Sequence, residues 1–289
     1  MRLEVIARQE NRLSQVLKDQ LCVSAGLINR LKWEEKLLVN GVPVHTNFQV
    51  HPGDRVALLF EEPAPGYPAR PGQLDIVLED EHLLVVEKPA GMLIHPSRHR
   101  NEGTLANIVL WHCQQQSQVA AFHPVTRLDR DTYGLVLVAK HSHSHARLQE
   151  LARAGQVQKT YHALVFGGPQ EDAGVVDAPI ARRELPSLLR YVNLTGKPSR
   201  TEFRVLRRWS DRSLLELTPV TGRTHQLRVH CAYMGCPILG DPQYGTQSSL
   251  ELSARLGLES QRLCAKQLRF VHPITGEEIF LQSRQEAEV

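Results

Sequence analysis

The stretch FHPVTRLDRDTYGLVLVAK, Phe122 to Lys140, decides how this chain is read. Its first half is polar and crowded with charge, Arg127-Leu128-Asp129-Arg130-Asp131. Its second half, Leu135 to Ala139, is an unbroken apolar run that follows Gly134. Such a run predicts a buried strand, and the charged segment before it predicts a polar turn at the strand's mouth. Asp129 is thereby placed beside arginines, close to a cleft. An isolated RLDRD also reads as a surface turn with a salt-bridged aspartate, so the rest of the chain has to decide.

Composition sets the outer limits. A chain of 289 residues exceeds ordinary single-domain size, so two domains are expected. Hydrophobic content of 42% and charged content of 22% describe a globular protein, and the net charge of +3 is compatible with RNA without requiring it. The five cysteines are odd in number and scattered, with no CxxC pair, which argues against a disulfide framework or zinc ribbon and for reduced thiols in a cytoplasm. No apolar run approaches membrane-spanning length and the N-terminus lacks a signal-peptide core. A cytoplasmic protein with no membrane partner is expected.

Residues 1–60 read as a small module of two short helices and a hairpin sheet. Leu13, Val16 and Leu17 share one helical face, and Ser24 is placed to cap a second helix carrying Leu27, Ile28 and Leu31. Asn40-Gly41 between Leu37-Leu38-Val39 and Val42-Pro43-Val44 is a hairpin signal. Residues 61–73, EEPAPGYPARPGQ, carry four prolines and two glycines and read as a semi-extended linker. Residues 74–289 form the larger domain. Strands are expected at 75–79, 83–88, 159–166, 201–206, 213–219 and 270–272, with helices from Thr104 to Trp111, His145 to Ala154 and Thr224 to Met234. Strands outnumber helices, so the fold class is mixed α+β with a largely antiparallel sheet.

Three further stretches carry chemistry. In Thr221-Gly222-Arg223-Thr224-His225-Gln226-Leu227-Arg228, Thr224 is expected to cap a helix. Arg228 then either turns inward or belongs to a basic solvent face, and Arg223 lies in the preceding turn where phosphate contacts are natural. Arg182, Arg183, Arg190, Lys197 and Arg200 punctuate a Pro- and Gly-containing loop region that reads either as a solvated basic loop or as a clamp for an RNA strand. His141, His143 and His145 alternate ahead of a helix without an acidic or cysteine partner, and read as surface histidines rather than metal ligands. No metal site is expected.

Four ordered motifs, RLDRDTYGLVLVAK, KTYHALVFG, TGRTHQLRVHCAYMGCPILGDPQYG and LRFVHPITGEEIF, resemble the RluA-type pseudouridine synthases that modify ribosomal large-subunit RNA and some tRNAs. The similarity runs from about Leu74 to Gln282. Residues 1–60 resemble the alpha-L RNA-binding module, through Ser24 to Lys36, Val39-Asn40-Gly41 and Val50 to Val56. The resemblance implies an RNA pseudouridine synthase that needs no cofactor, with Asp129 as the catalytic carboxylate, Tyr161 against the target base and Arg228 paired with the aspartate. Leu227 would wall the pocket; Arg127, Lys159, Arg223 and His225 would contact substrate. Arg30, Lys32 and Lys36 would meet RNA from the module. The partner is RNA, ribosomal before tRNA, and the state monomeric. The chain departs from the family pattern at Tyr133 (usually Ser), Thr126 (often His or Asn) and Cys264 (frequently His). Tyr133 is expected to add bulk near Asp129 and alter the pocket.

Moving the ribose from N1 to C5 of uracil is redox-neutral and imports no group, so a carboxylate, a base platform and a basic surround are what it needs. Rival readings are an RNA methyltransferase, a glycosidase using Asp129 and Asp131, and a non-catalytic ribosome-assembly factor on the same fold. The first lacks a glycine-rich nucleotide loop. For the second, no further partner group is evident beside the two acids. Retention of Asp129, Tyr161 and Arg228 weighs against the third.

Overall fold

The computed structural model describes residues 2–62, 66–97, 102–116, 121–184, 187 and 189–288. The first segment contains β1 (Arg2–Ile6), β2 (Asn11–Arg12), α1 (Leu13–Asp19), α2 (Ala25–Leu31), β3 (Leu37–Val39), β4 (Val42–Pro43), β5 (Gln49–Val50) and β6 (Arg55–Leu59). Leu13, Val16 and Leu17 of α1 and Ile28 and Leu31 of α2 are buried against β1, β3 and β6 in one apolar cluster. Ser24 starts α2 by accepting a hydrogen bond from the Leu27 amide, which satisfies an amide the helix itself leaves unpaired. Asn40 and Gly41 both adopt positive φ, 51° and 84°, the mirror-image turn that matches strand twist in a two-residue hairpin.

The second segment contains β7 (Asp75–Glu79), β8 (Leu83–Lys88), α3 (Leu105–Gln115), β9 (His123–Pro124), β10 (Tyr133–Ala139), α4 (Ser142–Arg153) and β11 (Val157–Phe166). It continues with β12 (Ala173–Asp177), β13 (Ile180–Arg182), β14 (Arg190–Val192), β15 (Arg200–Arg208), β16 (Arg212–Pro219), α5 (Gln226–Tyr233), α6 (Gln247–Arg255), β17 (Leu263–Val271) and β18 (Glu278–Gln282). Ten strands form one sheet ordered β12-β15-β16-β11-β17-β10-β8-β7, with β18 beside β17 and β9 beside β10. Every pairing in it is antiparallel except β10 with β17. The fold is therefore mixed α+β.

Strand β10 runs through the middle and is buried along its whole length. Val136 and Val138 face a cluster completed by α3 and α5, whereas Leu135 and Leu137 face a second cluster completed by α4. Covering both faces explains why the run is continuously apolar rather than alternating. Gly134 is obligatory here. Its φ is +102°, and a Cβ would lie 2.5 Å from the Ala265 carbonyl oxygen of the parallel neighbour β17.

Three sequence expectations need correction. Helix α4 begins at Ser142, not His145, because the His141 imidazole caps it by accepting from the Ser144 amide. His141 is fully buried and His143 nearly so, so neither is a surface histidine. Strand β17 starts at Leu263 where only 270–272 were expected; polar Lys266 hid it, its ammonium being absorbed by the carbonyls of Ser283 and Gln285. The described part of 61–73 makes contacts of its own with the larger segment. The Pro68 carbonyl accepts from Asn107, the Arg70 amide donates to the Asn107 carbonyl, and Tyr67 and Ala69 pack on the larger core.

Candidate active site

The RLD segment lies in the loop between β9 and β10. Two buried groups hold that loop. Thr126 Oγ1 accepts from the Leu137 amide, and the ammonium of fully buried Lys88 donates to the carbonyls of Pro89, Met92 and Arg130 at 2.8–2.9 Å. Burial pushes the Lys88 ammonium down to about 8, yet three carbonyl acceptors use all three of its protons, so it stays a cation at neutral pH. Asp131 is held aside by Arg130 through two hydrogen bonds of 2.9–3.0 Å. Asp129 is left facing a cleft of about 910 Å³.

Asp129 Oδ2 accepts from Arg228 Nη1 at 3.1 Å. Its other oxygen makes no hydrogen bond among the described residues. Arg228 projects from the first turn of α5, and its guanidinium is also gripped from behind. Nε and Nη2 donate to the two oxygens of fully buried Asp241 at 2.7 and 2.8 Å, and Nη2 donates to Gln243 Oε1 at 2.7 Å. Burial opposes the arginine's charge, but the bonds to Asp241 and the field of Asp129 outweigh it and raise its pKa. The planar two-point grip fixes where the guanidinium plane lies, and that plane presents Nη1 to Asp129.

Tyr161 on β11 is buried among core residues while its ring lines the cleft. Burial, with the charge of Asp129, raises its phenol well above the ordinary value, so it is a neutral hydroxyl at neutral pH. Leu227, Lys159, Arg223, His225 and Arg127 line the same cleft. The eight residues singled out for the reaction centre, Asp129 included, are thus brought together. Arg127 is exposed and has no ion-pair partner among the described residues.

Two readings of local geometry fail. Thr224 does not cap α5; His225 occupies that position in the left-handed conformation, φ 58°, with no side-chain cap. The turn is anchored instead by Gln226, which accepts from the Arg223 amide and Thr221 and donates to the Arg200 carbonyl and Thr201. Tyr133 does not reach the cleft. As the neighbour of Gly134 on β10 it points to the opposite side, donating to the Glu286 carbonyl at 3.0 Å under the Arg262 guanidinium. Asp241, Gln243 and Tyr244 were missed as site residues. The only sequence signal for them was a GDPQYG loop downstream of the arginine.

The other basic residues are dispersed. Arg182 and Arg190 stand on the β13–β14 hairpin rather than a loop, and Arg183 lies over the Tyr191 ring. Lys36 is neutralised by Glu34 and Glu61, Lys32 sits 4.8 Å from the exposed Trp33 ring, and Arg30 lines a smaller cavity between α2 and α4. Among the described residues, no group of three His, Cys, Asp or Glu side chains is arranged to hold a metal. No helix among them is long and apolar enough to cross a membrane.

The cleft thus joins a carboxylate held by a guanidinium, a tyrosine ring and several basic side chains on one mixed sheet. The RNA pseudouridylate synthase family matches residues 82–233, and the chain belongs to that family. It is an RNA pseudouridine synthase. A Bacillus subtilis RNA pseudouridine synthase, YlyB, is 40% identical over 84% of this chain and 79% of its own length. The ribosomal large subunit pseudouridine synthase C of Vibrio cholerae is 34% identical over 96% of this chain and 90% of its own. In structure, human RNA pseudouridylate synthase domain containing 1 superposes with a TM-score of 0.61 at 27% identity, covering 75% of this chain and 86% of that one.

Proposed function

We propose that the protein isomerises a uridine of large-subunit ribosomal RNA, with tRNA as the second choice of substrate, and that Asp129 is its reacting carboxylate. The observation that carries the assignment is the Asp129–Arg228 contact of 3.1 Å, with one carboxylate oxygen engaged and the other open to the cleft. The guanidinium balances the charge of that carboxylate and fixes its position. In that reaction the N1–C1′ bond breaks, a C5–C1′ bond forms, the C5 proton leaves and N1 gains a proton. Tyr161 supplies a flat wall for the extruded uracil, with Leu227 beside it, and extrusion is how a base inside folded RNA becomes reachable. Arg127, Lys159, Arg223 and His225 surround the flipped nucleotide and its phosphates. No step requires an imported group, so no cofactor belongs to the scheme.

Residues 1–60 act as an alpha-L RNA-binding module that docks RNA through Arg30 and Lys32, with Lys36 already engaged by carboxylates. The protein works as a cytoplasmic monomer. Removing the module should weaken RNA binding and flatten its salt dependence, the logarithmic slope falling by about 0.9 for each duplex phosphate that the module had neutralised; an unchanged slope removes that role.

The decisive test is Asp129→Asn, purified from cells lacking the wild-type gene and assayed by carbodiimide mapping of pseudouridine. Isomerisation should vanish while RNA affinity holds, because the amide is nearly isosteric and phosphate contacts elsewhere carry the binding. Wild-type turnover by that variant would rule the assignment out.

A further inference from the structure

His225 is the one non-glycine residue of the larger sheet segment, among those described, held at positive φ. Backbone held in a sparsely populated region persists only where its surroundings over-determine it. Here the surroundings are a short chain of hydrogen bonds. The Arg190 amide donates to Tyr244 Oη at 3.0 Å, and Tyr244 Oη lies 2.8 Å from His225 Nδ1. The phenol already accepts from an amide and has one proton to give, and among the hydrogen bonds of the described residues His225 Nδ1 is the partner in reach of that proton. An imidazole that accepts at Nδ1 and is neutral carries its proton on Nε2. Neutrality is supported by burial, which lowers the His225 pKa. Arg228 and Arg190 act in the same direction, while Asp129 and Asp241 oppose them. Nε2 is 3.9 Å from Asp129 Oδ2, the same oxygen that Arg228 holds.

We propose that Tyr244 is a positioning residue that locks His225 as its Nε2–H tautomer, so that an N–H rather than a lone pair faces the Oδ2 side of Asp129. With Arg228 bonded to Oδ2 and this N–H 3.9 Å from the same atom, the other oxygen of Asp129 is left for the substrate. The opposite tautomer would set a lone pair against the carboxylate and loosen its orientation. The inference rests on the reading of Asp129 as the reacting carboxylate.

The test uses the full chain without RNA first. Imidazole ¹⁵N spectra at neutral pH, with the His225 signals assigned by their loss in His225→Gln, should show a bare Nδ1 and a protonated Nε2. A protonated Nδ1 in the wild type overturns the proposal. Tyr244→Phe keeps the ring that lies 4.9 Å from the Arg228 guanidinium but removes the proton donated to Nδ1. It should shift the ¹⁵N signature toward Nδ1–H and lower kcat about five- to tenfold, the effect of one lost hydrogen bond, with RNA affinity unchanged. An unmoved signature, or an unmoved kcat, overturns it. His225→Gln places an amide N–H at similar reach and should keep more kcat than His225→Leu; equal losses also overturn it. Failure of the wild type to modify any RNA would count against the proposed function, whereas the tautomer is decided without substrate.

Discussion

Asp241 offers the sharpest test of how the site is held. Its carboxylate is fully buried, takes two charge-assisted hydrogen bonds from Arg228, and accepts from the amides of Gln243 and Tyr244 at 2.9 and 3.3 Å. Asp241→Asn keeps the shape and the acceptor for those amides but removes the charge opposite a buried guanidinium. Deleting one partner of a buried pair costs about 3–5 kcal/mol, because the remaining charge is uncompensated. Asp129 and Gln243 still touch Arg228 here, so the lower end, about 3 kcal/mol, is expected. In urea the unfolding midpoint should fall with an unchanged slope. Turnover should fall about a hundredfold, as expected when a positioning group is displaced by an ångström. The double variant Arg228→Met/Asp241→Asn carries no unpaired buried cation and should be about 1–2 kcal/mol more stable than Asp241→Asn alone, yet inactive. A single variant with wild-type midpoint and turnover, or a double variant no more stable than the single, would refute the reasoning.

Three more outcomes follow from the geometry. Tyr161→Phe should bind RNA like wild type and turn over slowly if the hydroxyl takes part in removing the C5 proton. Tyr161→Ala should in addition lose about 1–3 kcal/mol of binding by fluorescence titration, and full turnover by the Phe variant would leave the ring as a platform alone. Tyr133→Ser should cost about 3 kcal/mol of stability, as an emptied aromatic site does, while KM for RNA stays put; a changed KM would mean that the side chain reaches the cleft after all. Burial pushes His141 down to about 3 from 6.5, so below pH 6.5 the unfolded chain binds a proton that the native state refuses. Its share of stability is intact above that pH and is lost as pH falls toward 3, by up to about 1.4 kcal/mol per unit. Urea melts at pH 7 and 5 should show a smaller loss in His141→Gln than in wild type; equal losses would remove His141 from the acid response.

Much of the fold was legible because its signals are local. The hairpin at Asn40-Gly41, the cap at Ser24, the buried run after Gly134 and the alternation through Tyr161 depend on backbone preferences and side-chain period within a few residues. Strand β17 and the start of α4 were misread where a distant partner changes the meaning of a residue. Lys266 is tolerable in a central strand because Ser283 and Gln285 receive its protons. His141 acts as a cap because it is buried against His82 and Phe60.

The site divides in the same way. By itself the sequence marked the RLD turn, the KTY strand and the QLR helix as stretches with chemistry, since a charged turn ahead of a buried strand and a basic helix start are visible in any single chain. It did not say that a guanidinium would be gripped by Asp241, thirteen residues beyond Arg228, before being offered to Asp129, ninety-nine residues before it. Nor did it show that Tyr133 turns away from the cleft. Those facts belong to the tertiary structure. Which oxygen meets which nitrogen, and which side of a strand faces a pocket, depends on how separate segments come together in space, and local propensity carries no information about that.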